Sequence, residues 1–161
     1  MFSSASVICS AAAHRVVSFN VSRMGLQGTI TPFLSNLSFI RMLELWTNCF
    51  HSHIPYQLGS LFHLNMLGFF VNPLQGSRAM HYANLQHQKL YENKLTGTIS
   101  NCLGNMSWFL QYIDLFRNNL HGLVPSEIGE HHGSLLIYVI TISHDQLLIP
   151  CLTTPSFYNW M

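Results

Sequence analysis

The chain has 161 residues, of which 48% are hydrophobic and only 8% are charged, and its formal net charge is +1. This length is sufficient for one domain with its own hydrophobic core. Because the charge is low and no cluster of Lys or Arg occurs, the sequence argues against a nucleic-acid-binding protein held by phosphate contacts. The strongest apolar run, LLIYVITI at 135–142, is well short of the roughly 20 residues that a transmembrane helix needs.

The N-terminal stretch VICSAAA, residues 7–13, looks like the end of a signal peptide. No Lys or Arg precedes it, however, and its apolar part is very short for that role. The sequence therefore contains no convincing signal peptide, and we expect residues 1–13 to be loosely ordered.

The dominant feature of the chain is an internal repeat. The stretches LWTNCFHSHIPYQLG (45–59), LYENKLTGTISNCLG (90–104) and LFRNNLHGLVPSEIG (115–129) share the same offsets. An Asn anchors each unit, and successive anchors are separated by 24, 21 and 25 residues. A weaker unit upstream has Met24 at the anchor, and one downstream has Asp145, so about six repeats with a period near 24 fill residues 14–150. The Asn anchors are Asn48, Asn72, Asn93 and Asn118.

Each repeat is expected to begin with a short strand. Aliphatic or aromatic residues recur five and three positions before the anchor, as at Leu43 and Leu45, and this alternation is typical of a strand with one buried face. A single unit cannot bury that face alone, whereas stacked units bury a continuous core. The predicted strands are 17–21, 41–45, 65–69, 87–91, 111–115 and 138–142.

The anchor residue is expected to end the strand. An Asn side chain offers two donors and an acceptor, so it can satisfy backbone groups at a turn that the stack buries. Four positions later the repeats carry Gly, as at Gly76 and Gly97, which tolerates backbone angles that other residues resist.

These residues resemble a known family. RVVSFNVSRMGLQGTI, HIPYQLGSL and NNLHGLVPSEIG look like the plant-type leucine-rich repeat, L-x-x-L-x-L-x-x-N-x-L-x-G-x-I-P-x-x-L-G, and are closest to the ectodomains of receptor-like kinases. The resemblance implies a right-handed leucine-rich-repeat solenoid with a short parallel sheet on its concave face. It also implies an irregular convex side with 3₁₀ turns, and an extracellular or plasma-membrane-surface location.

The chain departs from the family pattern at several places. Residues 76–90 lack the I-P pair and are three residues short, and Gln88 stands where an inward Leu belongs. A buried, unpaired amide there is expected to cost about 1–3 kcal/mol. The repeat decays after Pro125, 151–161 reads as a degenerate tail, and no kinase signature occurs. We interpret the sequence as a fragment of a receptor-type ectodomain that lacks intact caps, with residues 1–13 as a loosely ordered remnant of the N-terminal cap.

The strand register predicts which side chains face the concave surface. Residues two and four positions before each anchor point away from the core. The column at two before runs Ser22, Trp46, Phe70, Tyr91, Phe116 and Ser143, and the one at four before runs Asn20, Glu44, Gly68, Lys89, Asp114 and Thr141. Because exposed aromatics dominate binding hot spots, we predict a ligand-binding surface at these columns. Its candidate residues are Trp46, Phe70, Tyr91, Phe116, Glu44, Lys89 and Asp114.

Other chemistry has little support in the sequence. Three sequons begin at Asn20, Asn36 and Asn105; they are candidate glycosylation sites if the chain is secreted, and a glycan at Asn20 would obstruct the concave face.

The pairs His51/His53 and His131/His132 lack the further ligands of a metal site, so no metal or other cofactor is expected. No catalytic motif occurs, and Cys49 and Cys102 fall at different phases of the repeat, which argues against their pairing.

The predicted function is a non-catalytic module that recognises an extracellular peptide or protein, or another leucine-rich-repeat receptor, on the concave face. Two alternatives remain open from the sequence. One is a truncated remnant with no ligand of its own, supported by the broken third repeat and the missing caps. The other is a secreted inhibitor of a microbial wall-degrading enzyme.

Overall fold

The structure is a computed structural model, and it describes residues 5–12, 14–77, 85–100 and 110–123, together with the backbone of the strand at 136–138. Short strands recur at the repeat interval, with a 3₁₀ helix in each of the first two repeats. In chain order the elements are β1 (Ser6–Cys9), β2 (Val16–Asn20), β3 (Gln27–Thr29), a first 3₁₀ helix (Pro32–Asn36), β4 (Met42–Glu44), β5 (Cys49–His53), a second 3₁₀ helix (Tyr56–Ser60), β6 (Met66–Gly68), β7 (Leu74–Gly76), β8 (His87–Lys89), β9 (Lys94–Gly97), β10 (Tyr112–Asp114), β11 (Asn119–Leu120) and β12 (Leu136–Tyr138).

The strands form two sheets. The larger has seven strands in the order β1-β2-β4-β6-β8-β10-β12, and the smaller has five in the order β11-β9-β7-β5-β3. From β2 onwards, neighbouring strands of the larger sheet are parallel and come from successive repeats. The predicted solenoid with its parallel concave sheet is therefore confirmed.

Two strand groups were not predicted. Strand β1 pairs antiparallel with β2, with Val7 opposite Phe19, and so adds an edge strand to the first repeat. The five-stranded sheet lies just after the anchors, where the sequence pattern predicted only irregular turns. Its strands are two to five residues long, which is too short for an alternation pattern to stand out in the sequence.

The register predicted for the last repeat is wrong by three residues. Strand β12 places Tyr138, not Thr141, opposite Asp114. The pairing keeps a step of 24 residues from β10 (138 − 114), whereas Asp145 as an anchor required 27 (145 − 118). The apolar run LLIYVITI offers an inward-facing pattern in more than one register, so the sequence alone did not determine the pairing there.

The core is built from the inward positions of the repeat. Leu43, Leu67 and Ile113 are fully buried at five before the anchor, and Leu74 and Leu95 at two after it. Gln88 takes the place of an inward Leu, as the sequence indicated. It is 1% exposed, and its Oε1 atom has no hydrogen-bond partner among the described residues. The core is therefore apolar at these positions except for one unsatisfied amide oxygen, that of Gln88.

The four Asn anchors are buried and connect successive repeats. Asn48 accepts hydrogen bonds at Oδ1 from the backbone N–H of Met24 (3.2 Å) and Leu26 (3.0 Å), in the preceding repeat. Its Nδ2 donates to the carbonyl oxygens of Val21 (3.0 Å) and Leu45 (2.9 Å). The same pattern of an amide bridging two repeats recurs at Asn72, Asn93 and Asn118.

The residue before each anchor has a left-handed backbone. The φ angles lie between 51° and 58° at these positions, none of which is Gly. Such values are uncommon for residues with a Cβ atom, and a β-branched residue there is an outlier. The turn therefore carries strain in particular at the β-branched residues Thr47 and Val71. The residues concerned are Arg23, Thr47, Val71, Glu92 and Arg117.

Candidate ligand-binding surface

Three parallel columns of side chains follow the concave sheet. The strand register aligns Glu44 with Gly68, Lys89 and Asp114 in the central column. The first column, two residues earlier on each strand, contains Met42, Met66, His87 and Tyr112. The third, just after the strands, contains Trp46, Phe70, Tyr91 and Phe116. The larger sheet thus carries a polar column between two columns rich in aromatic and sulfur-containing side chains.

Three rings of the third column, those of Trp46, Phe70 and Tyr91, stack face to face between repeats. The centroids of Trp46 and Phe70 are 5.1 Å apart with an interplanar angle of 7°. Those of Phe70 and Tyr91 are 4.4 Å apart at 16°. All four rings of the column, including Phe116, belong to half-buried residues. Because the faces of Phe70 are covered by its neighbours, its ring presents an edge to solvent.

Arginine side chains lie over the outer rings of this column. The guanidinium carbon of Arg23 is 5.7 Å from the centroid of Trp46, and that of Arg117 is 5.0 Å from the centroid of Phe116. Arg117 also pairs with Glu92 at 2.6 Å. Ser22, which the sequence placed in the column, is instead buried and does not extend it. The column therefore has a cation over Trp46 at one end and over Phe116 at the other.

The central column holds two carboxylates on either side of Lys89. Glu44 is only 7% exposed and lies over Gly68, where the carboxyl group occupies the space that a Cβ atom would take. Burial raises the pKa of Glu44, although Lys89 and a hydrogen bond with Trp46 oppose the increase. A residue larger than Gly at position 68 would thus displace this carboxyl group.

Asp114 is held by hydrogen bonds from its own repeat. Its Oδ1 accepts from the backbone N–H of Phe116 at 3.0 Å, and its Oδ2 accepts from the hydroxyl of Tyr112 at 3.1 Å. Burial raises the pKa of Asp114 despite these bonds and the charge of Lys89. The pKa of Tyr91 is also raised, first by burial and then by the negative charges of Asp114, Glu92 and Glu44.

The first column was not predicted from the sequence. It contains Met42 and Met66, followed by His87 and Tyr112, whose ring centroids are 6.4 Å apart. One more step of the same period-2 alternation, from four to six positions before the anchor, would have found these residues. They widen the candidate surface from two columns to three.

The sequons lie in different environments. Asn36 is exposed at the end of the first 3₁₀ helix. Asn20 ends strand β2, where its Oδ1 accepts from the N–H of Ser22 at 2.9 Å. Asn105 lies outside the described residues.

The sulfur and imidazole groups form no shared site where the structure describes them. Cys9 and Cys49 are free and exposed, while Cys102 and the His131/His132 pair lie outside the described residues. His51 donates from Nδ1 to the carbonyl oxygen of Gly28, at 2.6 Å. In the described ranges, no three His, Cys, Asp or Glu side chains are grouped to hold a metal ion, and no helix is long and apolar enough to span a membrane.

Comparison with known proteins agrees with this geometry. A family model described as Leucine Rich Repeat matches residues 109–131. Over 58 residues the chain is 45% identical to the LRR receptor-like serine/threonine-protein kinase EFR of Arabidopsis thaliana. That match covers 36% of this chain and only 6% of EFR.

Solved structures of plant receptors share the fold. A chain of the BIR3–SERK2 complex from Arabidopsis thaliana superposes with a TM-score of 0.73 and 27% identity, covering 91% of this chain and 80% of that one. A second similar chain comes from the complex of the Arabidopsis receptor kinase HAESA with the peptide hormone IDA and the co-receptor SERK1. Its TM-score is 0.64 at 27% identity, and the match covers 71% of this chain and 20% of that one. The protein has the leucine-rich-repeat solenoid fold, and it is similar to the ectodomains of plant leucine-rich-repeat receptor kinases.

Proposed function

We propose that the chain is a non-catalytic recognition module that binds an extracellular peptide or protein across its concave sheet. The observation that carries this proposal is the continuous aromatic column of Trp46, Phe70, Tyr91 and Phe116. A solenoid core requires its inward leucines, but it places no comparable demand on side chains at the concave positions. An aromatic residue in four successive repeats therefore favours a binding role for this face.

The ring geometry favours a polypeptide over other ligands. Sugars and nucleobases bind to aromatic side chains mainly by stacking on ring faces. Here Phe70 has both faces against its neighbours, at centroid distances of 5.1 Å and 4.4 Å. The exposed ring edges, with polar groups of Lys89 and Asp114 beside them, suit the mixed apolar and hydrogen-bonding surface of an extended peptide.

The receptor complexes support the class of partner. One similar chain comes from a structure that contains HAESA, the peptide hormone IDA and the co-receptor SERK1, and another comes from the BIR3–SERK2 complex. By analogy we propose an extracellular peptide as the first class of ligand and a second receptor ectodomain as the other. The polar column, with Lys89 between Glu44 and Asp114, would set the ligand's charge preference.

A selection experiment with peptides of random sequence tests the proposal. A phage-displayed library of such peptides would be panned against the full chain, and the selected peptides measured by calorimetry. The concave variant carries Phe70→Ser and Tyr91→Ser. The matched control carries Phe33→Ser and Tyr56→Ser, at residues that are 76% and 75% exposed outside the concave columns.

We expect selected peptides to bind the wild type and the control equally and to lose at least about tenfold in affinity for the concave variant, since aromatic hot spots commonly contribute more than about 1.4 kcal/mol. Circular dichroism would verify that both variants remain folded. Equal affinity for all three proteins, or loss only in the control, would refute the concave assignment.

A further inference from the structure

We infer that Asn36 is an N-glycosylation site and that the first sugar of its glycan docks in a cleft built by Arg15 and Phe39. This modification site is separate from the concave surface. Three features support it: the conformation of the sequon, the contrast with Asn20, and the cleft beside the Asn36 side chain.

The sequon Asn36-Leu37-Ser38 forms a tight, accessible turn. Asn36 is the last residue of the first 3₁₀ helix, and both it and Ser38 are exposed. Leu37 has φ −78° and ψ 58°, close to an inverse γ-turn, which brings the flanking residues together. In the part of the chain that the structure describes, no hydrogen bond engages the side-chain amide of Asn36. Its Nδ2 atom is therefore available.

The next repeat contains the same turn without a sequon. Leu61 follows the second 3₁₀ helix with φ −81° and ψ 74°, and its flanking residues are Ser60 and Phe62. The turn therefore forms without Asn and Ser at these positions. The fold therefore does not require Asn36 and Ser38 at this turn, which leaves both side chains free to serve as a sequon.

Asn20 offers a less suitable acceptor. Its Oδ1 is bonded to the N–H of Ser22 at 2.9 Å, and the residue is half-buried between strands. The Ser22 hydroxyl that completes the sequon is buried and unpartnered within the described residues. A glycan on Asn20 would lie on the concave sheet beside Glu44, its neighbour in register. In the folded chain, Asn36 is therefore the more accessible acceptor of the two, and a glycan there leaves the concave sheet undisturbed.

A cleft of about 450 Å³ adjoins the Asn36 side chain, lined by Arg15, Val16, Asn36, Leu37, Ser38 and Phe39. The Arg15 guanidinium lies 3.9 Å from the centroid of the Phe39 ring, and the ring of His63 stacks with Phe39 at 5.6 Å. Because these neighbours engage the Phe39 ring, the groups offered to a sugar are the Arg15 N–H donors and the ring edge. Guanidinium donors suit the hydroxyl and acetamido oxygens of N-acetylglucosamine.

The covalent step requires a lipid-linked diphosphate oligosaccharide as the donor. The Asn36 Nδ2 atom forms a bond to the anomeric carbon of the oligosaccharide. The bond between that carbon and the lipid diphosphate breaks, and the amide proton leaves with the diphosphate. The protein supplies the accessible acceptor, and the cleft then holds the sugar nearest to it.

The test uses the full chain behind a heterologous signal peptide, secreted by cells that attach high-mannose glycans, so that it does not depend on the natural route of secretion. All variants carry Asn105→Gln to remove the third sequon. We expect Asn36→Gln and Ser38→Ala each to lower the mass by one glycan, and Asn20→Gln to leave it unchanged. A mass unaffected by Asn36→Gln and Ser38→Ala would overturn the assignment.

A second measurement tests the cleft. Endoglycosidase H leaves one N-acetylglucosamine on Asn36, and this trimmed protein should melt about 2–4 °C above the Asn36→Gln variant. In an Arg15→Ala background the same comparison should give no difference, because the docking donors are absent. Equal melting temperatures with Arg15 present, or an unchanged difference without it, would overturn docking in the cleft. Neither result depends on a ligand for the concave face.

Discussion

Asn72 donates from Nδ2 to the carbonyl oxygen of Leu45, 27 residues earlier, at 3.1 Å, and to that of Phe69 in its own repeat at 3.0 Å. Its Oδ1 accepts from the N–H of Phe50 at 3.0 Å. With a longer contact to the carbonyl oxygen of Phe70 at 3.3 Å, one buried amide bonds to four backbone groups from two repeats. This relationship fixes the spacing of neighbouring strands and with it the alignment of the concave columns.

Replacing this amide should destabilise the solenoid. We expect Asn72→Ala to lower the free energy of unfolding by about 2–4 kcal/mol, because several buried backbone groups lose their partners. Urea denaturation would measure the loss. Asn65→Ala, at an exposed position, is the control and should change stability by less than about 0.5 kcal/mol. A loss no larger than that of the control would contradict the role of the anchor.

Replacing Gln88 should stabilise the protein, in contrast to replacing Asn72. Its Oε1 is buried without a partner in the described part of the chain, at a position where other repeats carry Phe, Leu or Ile. Gln88→Leu should raise the free energy of unfolding by about 1–3 kcal/mol, since the unsatisfied oxygen is removed and apolar packing is gained. A thermal melt would detect the increase. Gln111→Leu, at an exposed position, should give no comparable gain; a similar gain would point to a general effect of hydrophobicity.

Replacing Val71 with a residue that tolerates a left-handed backbone should stabilise the protein. Its φ is 55°, which costs a β-branched residue about 1–2 kcal/mol relative to more permissive residues. Val71→Asn should therefore increase stability by about 1 kcal/mol in urea denaturation. Val16→Asn, in the extended strand β2, should lose stability because β-branched residues favour strands. Destabilisation by both substitutions would argue that packing of Val71 outweighs its backbone strain.

Glu44 and Asp114 should give the protein a distinctive dependence on pH. Burial raises the pKa of both carboxyl groups in the folded chain. Between the ordinary carboxyl pKa of about 4 and the raised value, the folded state binds more protons than the unfolded state. The free energy of unfolding therefore falls as the pH rises through this window, and the stability contribution is fully present below it.

The double variant Glu44→Gln with Asp114→Asn should lack this contribution to the pH dependence of stability. Urea denaturation from pH 4 to 7 would measure the difference in midpoint between wild type and variant at each pH. We expect the wild type to lose stability relative to the variant as the pH rises. A difference that stayed constant would show that folding leaves both pKa values unchanged, and one that favoured the wild type increasingly at higher pH would show that folding lowers them; either result would contradict the prediction.

The repeat made much of the fold predictable. Because Leu43, Leu67 and Ile113 recur at one phase, the inward face and the strand order followed from the sequence, as did the burial of Gln88. The left-handed turns could not be predicted from the sequence, since positions 47, 71 and 92 hold Thr, Val and Glu, none of which is typical of that conformation. The backbone there is set by the stacked repeats rather than by local preference.

The candidate surface was predictable in part. The alternation identified the columns that contain Phe70 and Lys89, but it gave no information on how side chains arrange within them. Only the three-dimensional structure places the Glu44 carboxyl over Gly68 and the Phe70 ring against those of Trp46 and Tyr91. These are contacts between repeats, which a pattern read along one strand does not contain.

The most direct test of the central claim is photo-crosslinking of a library-selected peptide to the concave face. A photoreactive benzoylphenylalanine would replace Phe70 in one variant and the exposed Tyr56, outside the concave columns, in another. We predict that a selected peptide crosslinks at position 70 and not at position 56, and that excess unlabelled peptide suppresses the product. Crosslinking at position 56 alone would contradict recognition on the concave sheet.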